Sequence, residues 1–209
     1  MTVRENLLLY AVTDGRADLL PAVEAALRGG ATMLQLREKR LGDDALLALA
    51  RRAKEITDKF GVPLIVNDRA DIVLATDAAG AHLGPLDGDL RAARALLGPD
   101  RILGATARTV EQALAAEAAG ADYLGSGAVF GSTTKTDAVS MPLALFREIC
   151  GAVKIPVVAI GGIDRMNLAR LRGCGMAGFA VVSGIFSAPD IEQIEYAARE
   201  LREAAKHVL

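Results

Sequence analysis

Short apolar runs recur at regular intervals along the chain: LLLYAV (7–12), TMLQLR (32–37), PLIVND (63–68), GAHLG (80–84), RILGAT (101–106), ADYLGSG (121–127), PVVAIGG (156–162) and GFAVVSG (178–184). They are mostly continuous rather than alternating, which is the pattern of strands buried on both faces. Segments of helical period lie between them. Asp43 is placed to cap a helix running to about Phe60, with Leu46, Leu49, Ala50, Ala53 and Ile56 on one face. Thr109 and Gln112 have capping-box spacing, and Pro189-Asp190 opens a last helix toward Lys206. Gly30-Ala31, Gly80-Ala81 and Gly120-Ala121 stand before the second, fourth and sixth runs, and Gly175-Met176-Ala177 is a looser case before the eighth. Glycine just past a helix end takes the left-handed conformation without steric cost. Eight β/α units punctuated in this way predict a single-domain (β/α)8 TIM barrel over residues 1–209. A doubly wound open sheet is the alternative.

Composition narrows the picture. The 209 residues are 52% hydrophobic and 24% charged, a globular balance. Aromatic residues are 4% and Trp is absent, so the core is built from Ala, Leu, Val and Ile. A net charge of −2 offers no polyanion-binding surface, which argues against a nucleic-acid partner. The first apolar run breaks at Thr13-Asp14-Gly15, lacks a cleavage site and is too short to cross a bilayer. No membrane association and a cytoplasmic location are therefore expected. Cys150 and Cys174 lack metal-ligand spacing and read as reduced thiols.

A barrel builds its active site at the C-terminal ends of its strands. Gln35, Arg37 and Lys39 follow strand two, where alternation puts them on one side, a grouping suited to an anion. The plainer reading is a solvated loop balanced by Glu38. Asn67-Asp68 ends strand three, and Asp87 follows strand four. Two carboxylates at adjacent strand ends suit Mg2+, which takes one or two carboxylates plus water and phosphate oxygens. The plainer readings are a helix cap for Asp68 and a turn residue for Asp87. His82 falls inside strand four and reads as a hydrogen-bonded structural histidine; His207 lies in the C-terminal tail. Thr106 ends strand five.

A longer loop follows strand six, with Gly131, Ser132, Thr133, Thr134 and Lys135 in succession. Backbone N–H groups, hydroxyls and one cation make a phosphate cradle or a lid there, without the P-loop pattern. Gly161-Gly162 after strand seven and Val182-Ser183-Gly184 after strand eight occupy the loops where barrels often hold phosphate. Two anion sites emerge. Arg37, Lys39, Lys135 and the two carboxylates suit a pyrophosphate, whereas Gly162, Ser132, Thr134 and Ser183 suit a phosphate monoester. Two phosphorylated ligands in one barrel point to group transfer.

The successive motifs YAVTD, LQLREK, NDRADIVLATDAAGAHLGPLD, GADYLGSGAVFGSTTKTDA, IPVVAIGGI and FAVVSGIF resemble those of the thiamin-phosphate synthase family over nearly the whole chain. The resemblance implies a transferase joining a hydroxymethylpyrimidine diphosphate to a thiazole phosphate, with release of pyrophosphate. It implies that Gln35, Arg37, Lys39, Asn67, Thr106 and Lys135 contact the pyrimidine diphosphate, with Arg37, Lys39 and Lys135 carrying the catalysis. It implies Mg2+ on Asp68 and Asp87, and the thiazole phosphate on Ser132, Thr133, Thr134, Gly162, Val182 and Ser183. A homo-oligomer stays open. The sequence departs from the family pattern at Pro85, where Gln is common, at Gly131-Ser132 in place of Pro-Thr, and at Thr106 in place of Ser. Two rivals are a thiazole tautomerase, whose family resemblance calls for a His where Thr106-Ala107-Arg108-Thr109 stands, and a non-catalytic barrel that binds thiamin precursors.

Overall fold

The computed structural model describes residues 2–131 and 140–209. Eight parallel strands close into a barrel in sequence order. They are β1 (Leu9–Val12), β2 (Met33–Leu36), β3 (Leu64–Asn67), β4 (Gly80–Leu83), β5 (Ile102–Thr106), β6 (Tyr123–Gly127), β7 (Val157–Ile160) and β8 (Gly178–Val181), with β8 returning to pair with β1. The open-sheet alternative is thereby excluded. Each strand is the centre of one predicted run. The runs look continuous because both faces are apolar. Leu9, Ala11, Leu34, Leu36, Leu64 and Val66 face the helical layer, while Tyr10, Val12, Met33, Ile65, Tyr123 and Val158 fill the barrel interior.

The helices that wrap the barrel are α2 (Leu19–Arg28), α3 (Asp43–Phe60), α4 (Ala70–Thr76), α5 (Leu90–Leu97), α6 (Val110–Ala118), α7 (Leu143–Ala152) and α9 (Ile191–Val208). Two short ones complete the set: α1 (Val3–Asn6), whose Val3 packs on the inner cluster, and α8 (Ser183–Phe186), directly after β8. A 3-10 turn, Leu168–Leu171, stands where a helix follows β7 in a regular barrel.

Local chemistry differs from the sequence reading in three places. Gly42, not Asp43, is the N-cap of α3, and Asp43 sits in the first turn, where its charge favours the positive end of the helix. Thr109 does cap α6, accepting from Gln112 N at 3.1 Å. Gln112 returns its side chain to Arg108 N rather than Thr109 N, so the box is not reciprocal. Gly80 is not a helix stop. Asp77 takes the left-handed turn at φ 54°, and Gly80 is already the first residue of β4. A Cβ at Gly80 would strike the Ile102 carbonyl across the β4–β5 seam. Backbone cannot move aside as a side chain can, so Gly80→Ala is expected to cost about 2 kcal/mol or more. A lowered denaturant midpoint at constant slope would show this, and an unchanged midpoint would contradict it.

Candidate active site

A pocket enclosing about 980 Å³ up to its open mouth lies at the C-terminal ends of the strands. Because alternate strand residues face inward, each strand delivers one or two side chains to it. Val12, Gln35, Asn67, His82, Thr106, Gly127 and Ile160 line it from β1 to β7, and Val182 and Ser183 from the end of β8.

One side carries the charged groups. β2 ends at Leu36, so Arg37 projects from the first turn beyond it and lines the pocket. Its backbone is fixed by Thr13, a buried residue just past β1. The Thr13 hydroxyl accepts from Arg37 N at 2.9 Å and donates to Arg37 O at 3.3 Å. Lys39 lies outside the pocket wall but brings its Nζ to 3.8 Å from Asp68 Oδ2. Glu38 turns away toward Gly15 and Arg40 instead of neutralising these cations.

Asp68 does not cap α4; Arg69 holds that position, with its guanidinium bound to Asp43 and Asp71. Asp68 has a left-handed backbone at φ 64°, and its N–H donates to the His82 carbonyl at 2.9 Å. This turns the carboxylate toward Asp87, with which it shares a hydrogen bond. Burial first, then the hydrogen bond and charge of Asp87, push the Asp68 carboxyl up to about 6 against the pull of Lys39 and Arg37. Asp87 also makes the predicted turn, since its Oδ2 accepts from Gly84 N at 2.8 Å. Two carboxylates that share a proton at this distance are a fitting pair of ligands for a divalent cation.

The opposite side is made of backbone. Gly161 and Gly162 have φ of 101° and 65°. A Cβ on Gly162 would lie 2.7 Å from Phe130 O and 3.0 Å from Gly131 O, so only glycine lets the turn after β7 close on the loop after β6. Ser183 opens α8 beside it, and a Cβ on Gly184 would meet Ile163 O at 2.5 Å. The predicted phosphate-cradle residues Ser132, Thr133, Thr134 and Lys135 lie outside the described residues.

The sequence reading missed three participants. Tyr10 and Tyr123 are fully buried in the barrel interior, and Tyr10 reaches the pocket wall. They join Gln35 to His82 through hydrogen bonds of 2.7, 2.8 and 3.0 Å, and His82 Nε2 lies 3.0 Å from Thr106 Oγ1. A lone Tyr inside an apolar run was the available signal, because a buried phenol demands a partner. Arg108, just past β5, also lines the pocket. His82 is hydrogen-bonded, as expected, and also reaches the pocket.

Comparison with known proteins agrees with this architecture. A family model described as thiamine monophosphate synthase matches residues 9–185. Thiamine-phosphate synthase 2 of Streptococcus pneumoniae serotype 4 is 50% identical over 193 residues, covering 90% of this chain and 92% of that protein. Thiamine-phosphate synthase of Lacticaseibacillus paracasei is 47% identical over 208 residues, covering 98% and 96%. The solved thiamine phosphate pyrophosphorylase from Pyrococcus furiosus superimposes with a TM-score of 0.91 at 39% identity, covering 100% of both chains. On this footing the chain belongs to the thiamine monophosphate synthase family.

Proposed function

We propose that the protein joins 4-amino-2-methyl-5-hydroxymethylpyrimidine diphosphate to a thiazole phosphate, giving thiamine phosphate and pyrophosphate. The observation that carries this reading is a single pocket with two unlike walls. Arg37 lines one wall, with the Asp68–Asp87 pair beside it, and the close-set glycines and Ser183 form the other. Such a pocket suits a diphosphate on one side and a phosphate monoester on the other.

The bond from the pyrimidine methylene to the diphosphate oxygen breaks, and the electron pair leaves with pyrophosphate. The amino-substituted ring supports the resulting cation. The thiazole nitrogen then donates its lone pair to the methylene carbon. No protein nucleophile enters, so the chain's tasks are to orient two ligands and to offset charge on the leaving group. Arg37 offers a planar fork to the diphosphate, and Lys39 a point charge at the rim. Lys135 and the hydroxyls of Ser132, Thr133 and Thr134 are assigned by family resemblance to the diphosphate and thiazole phosphate respectively. Asp68 and Asp87 would hold Mg2+, which when bound supplies charge neutralisation for the departing pyrophosphate. Gln35, Asn67 and Thr106 face the pyrimidine from the pocket floor and wall. Gly162, Val182 and Ser183 cradle the thiazole phosphate.

Ser183→Ala is expected to raise KM for the thiazole phosphate about tenfold with little change in kcat. That is the weight of one hydrogen bond made equally in ground and transition states. Steady-state kinetics with the pyrimidine diphosphate saturating check this, and an unchanged KM would remove Ser183 from the site.

The reading itself is tested by proton NMR. The thiazole phosphate alone should stay unchanged, and both precursors together should disappear one for one. Isomerisation of the thiazole phosphate alone would favour the tautomerase reading instead.

A further inference from the structure

The barrel interior holds a string of five polar groups whose two ends both line the pocket. Gln35 Nε2 lies 2.7 Å from Tyr10 OH, which lies 2.8 Å from Tyr123 OH. Tyr123 OH lies 3.0 Å from His82 Nδ1, and His82 Nε2 lies 3.0 Å from Thr106 Oγ1. Gln35 and Thr106 line the pocket as the terminal members. Glycines make the string sterically feasible: the Tyr123 ring occupies the space of a Cβ at Gly104, and His82 Cε1 would lie 3.3 Å from a Cβ at Gly125.

A hydroxyl has one proton and a neutral imidazole has one N–H, so the string has only two consistent proton orders. In the first, Gln35 donates to Tyr10, Tyr10 to Tyr123, Tyr123 to His82 Nδ1, and His82 Nε2–H to Thr106. In the second, every bond runs the other way. The Gln35 amide nitrogen, set against Tyr10, selects the first. Both phenols stay protonated because burial raises them well above their usual range. Under the first order Gln35 keeps its amide oxygen for the pocket, and Thr106 keeps its hydroxyl proton.

We infer that Tyr10, Tyr123 and His82 are positioning residues that set the hydrogen-bond polarity of the pocket, an acceptor at Gln35 and a donor at Thr106, and so select a 4-aminopyrimidine over a 4-oxopyrimidine. This rests on the function proposed above. The amino form offers an N–H donor beside a ring-nitrogen acceptor, which matches. The oxo form offers a carbonyl acceptor beside a ring N–H, which opposes both ends. A site that leaves buried polar groups mismatched rejects the wrong ligand more strongly than a poor apolar fit does. Tyr123 touches no ligand in this scheme and acts only through its neighbours.

The test compares binding of two unreactive ligands, the monophosphates of the 4-amino and the 4-oxo 5-hydroxymethylpyrimidine, by calorimetry. The wild-type protein should favour the amino form by about a hundredfold, about tenfold for each reversed hydrogen bond. In Tyr123→Phe the ring is kept and the string is cut. Tyr10 then loses its acceptor and donates to Gln35, whose amide turns over. The preference should fall at least tenfold, and the oxo ligand should bind more tightly than it does to the wild type. General damage cannot produce that gain. In Tyr10→Phe, which leaves the Tyr123–His82–Thr106 segment whole, the preference should fall about tenfold and no further. Equal weakening of both ligands by Tyr123→Phe, or an unchanged ratio, overturns the inference. Equal binding of both ligands by the wild type overturns it while leaving the synthase reading intact, whereas no binding of either overturns both.

Discussion

Asp68→Asn is expected to lower Mg2+-dependent turnover about a thousandfold while leaving the barrel folded and, without metal, more stable at neutral pH. The first half follows from the proposed metal role, since loss of one preorganised charge-stabilising group costs on the order of 10²–10³ in rate. The second half follows from the proton that Asp68 shares with Asp87. An unfolded aspartate titrates near 3.9, roughly, whereas burial and Asp87 push folded Asp68 up to about 6. Between those values the folded chain holds a proton that the unfolded chain has released. Stability of the metal-free protein therefore falls as pH rises through that window, and the full penalty persists above it. Asparagine carries no charge to repel Asp87, so the variant's advantage should be absent below pH ~4 and complete above ~6. Mg2+ competes with the same proton, so its apparent affinity should rise as pH increases through about 6. Thermal unfolding across pH, with and without Mg2+, together with turnover, checks each part. Unchanged turnover in Asp68→Asn would remove Asp68 from the reaction.

Arg37→Ala is expected to lower kcat/KM for the pyrimidine diphosphate about a hundredfold, with most of the loss in kcat. Charge on the diphosphate grows as the bond to carbon breaks, so a cation there is worth more in the transition state than in the ground state. Arg37→Lys should recover only part of the loss, because an ammonium gives a point charge where guanidinium gives a fork. The Thr13 hydroxyl holds the Arg37 backbone from both its N–H and its carbonyl, so the fork starts from a fixed base. A loss confined to KM would assign Arg37 to uniform binding instead.

The eight strands were legible because buried runs of aliphatic residues between helical segments admit few other arrangements. Strand ends were legible too, since inward alternation from β2 and β3 carries Gln35 and Asn67 to the pocket. What escaped the sequence has physical causes. The helix stop assigned to Gly80 belongs to Asp77, because a glycine demanded by strand crowding and one demanded by a left-handed turn look alike in sequence. Thr13 looked like a turn residue, and only the β1–β2 register brings its hydroxyl to Arg37. Tyr10 and Tyr123 are 113 residues apart, and no spacing rule places their hydroxyls at 2.8 Å. The roles of Lys135 and the neighbouring hydroxyls rest on family resemblance.

The central claim is that one pocket brings two phosphorylated precursors together and releases pyrophosphate from one of them. The most direct measurement follows pyrophosphate and thiamine phosphate in the same reaction, with each precursor and Mg2+ omitted in turn. The account predicts one pyrophosphate per thiamine phosphate when all three are present, and neither product when any is missing. Binding of both precursors by folded protein without release of pyrophosphate would contradict it.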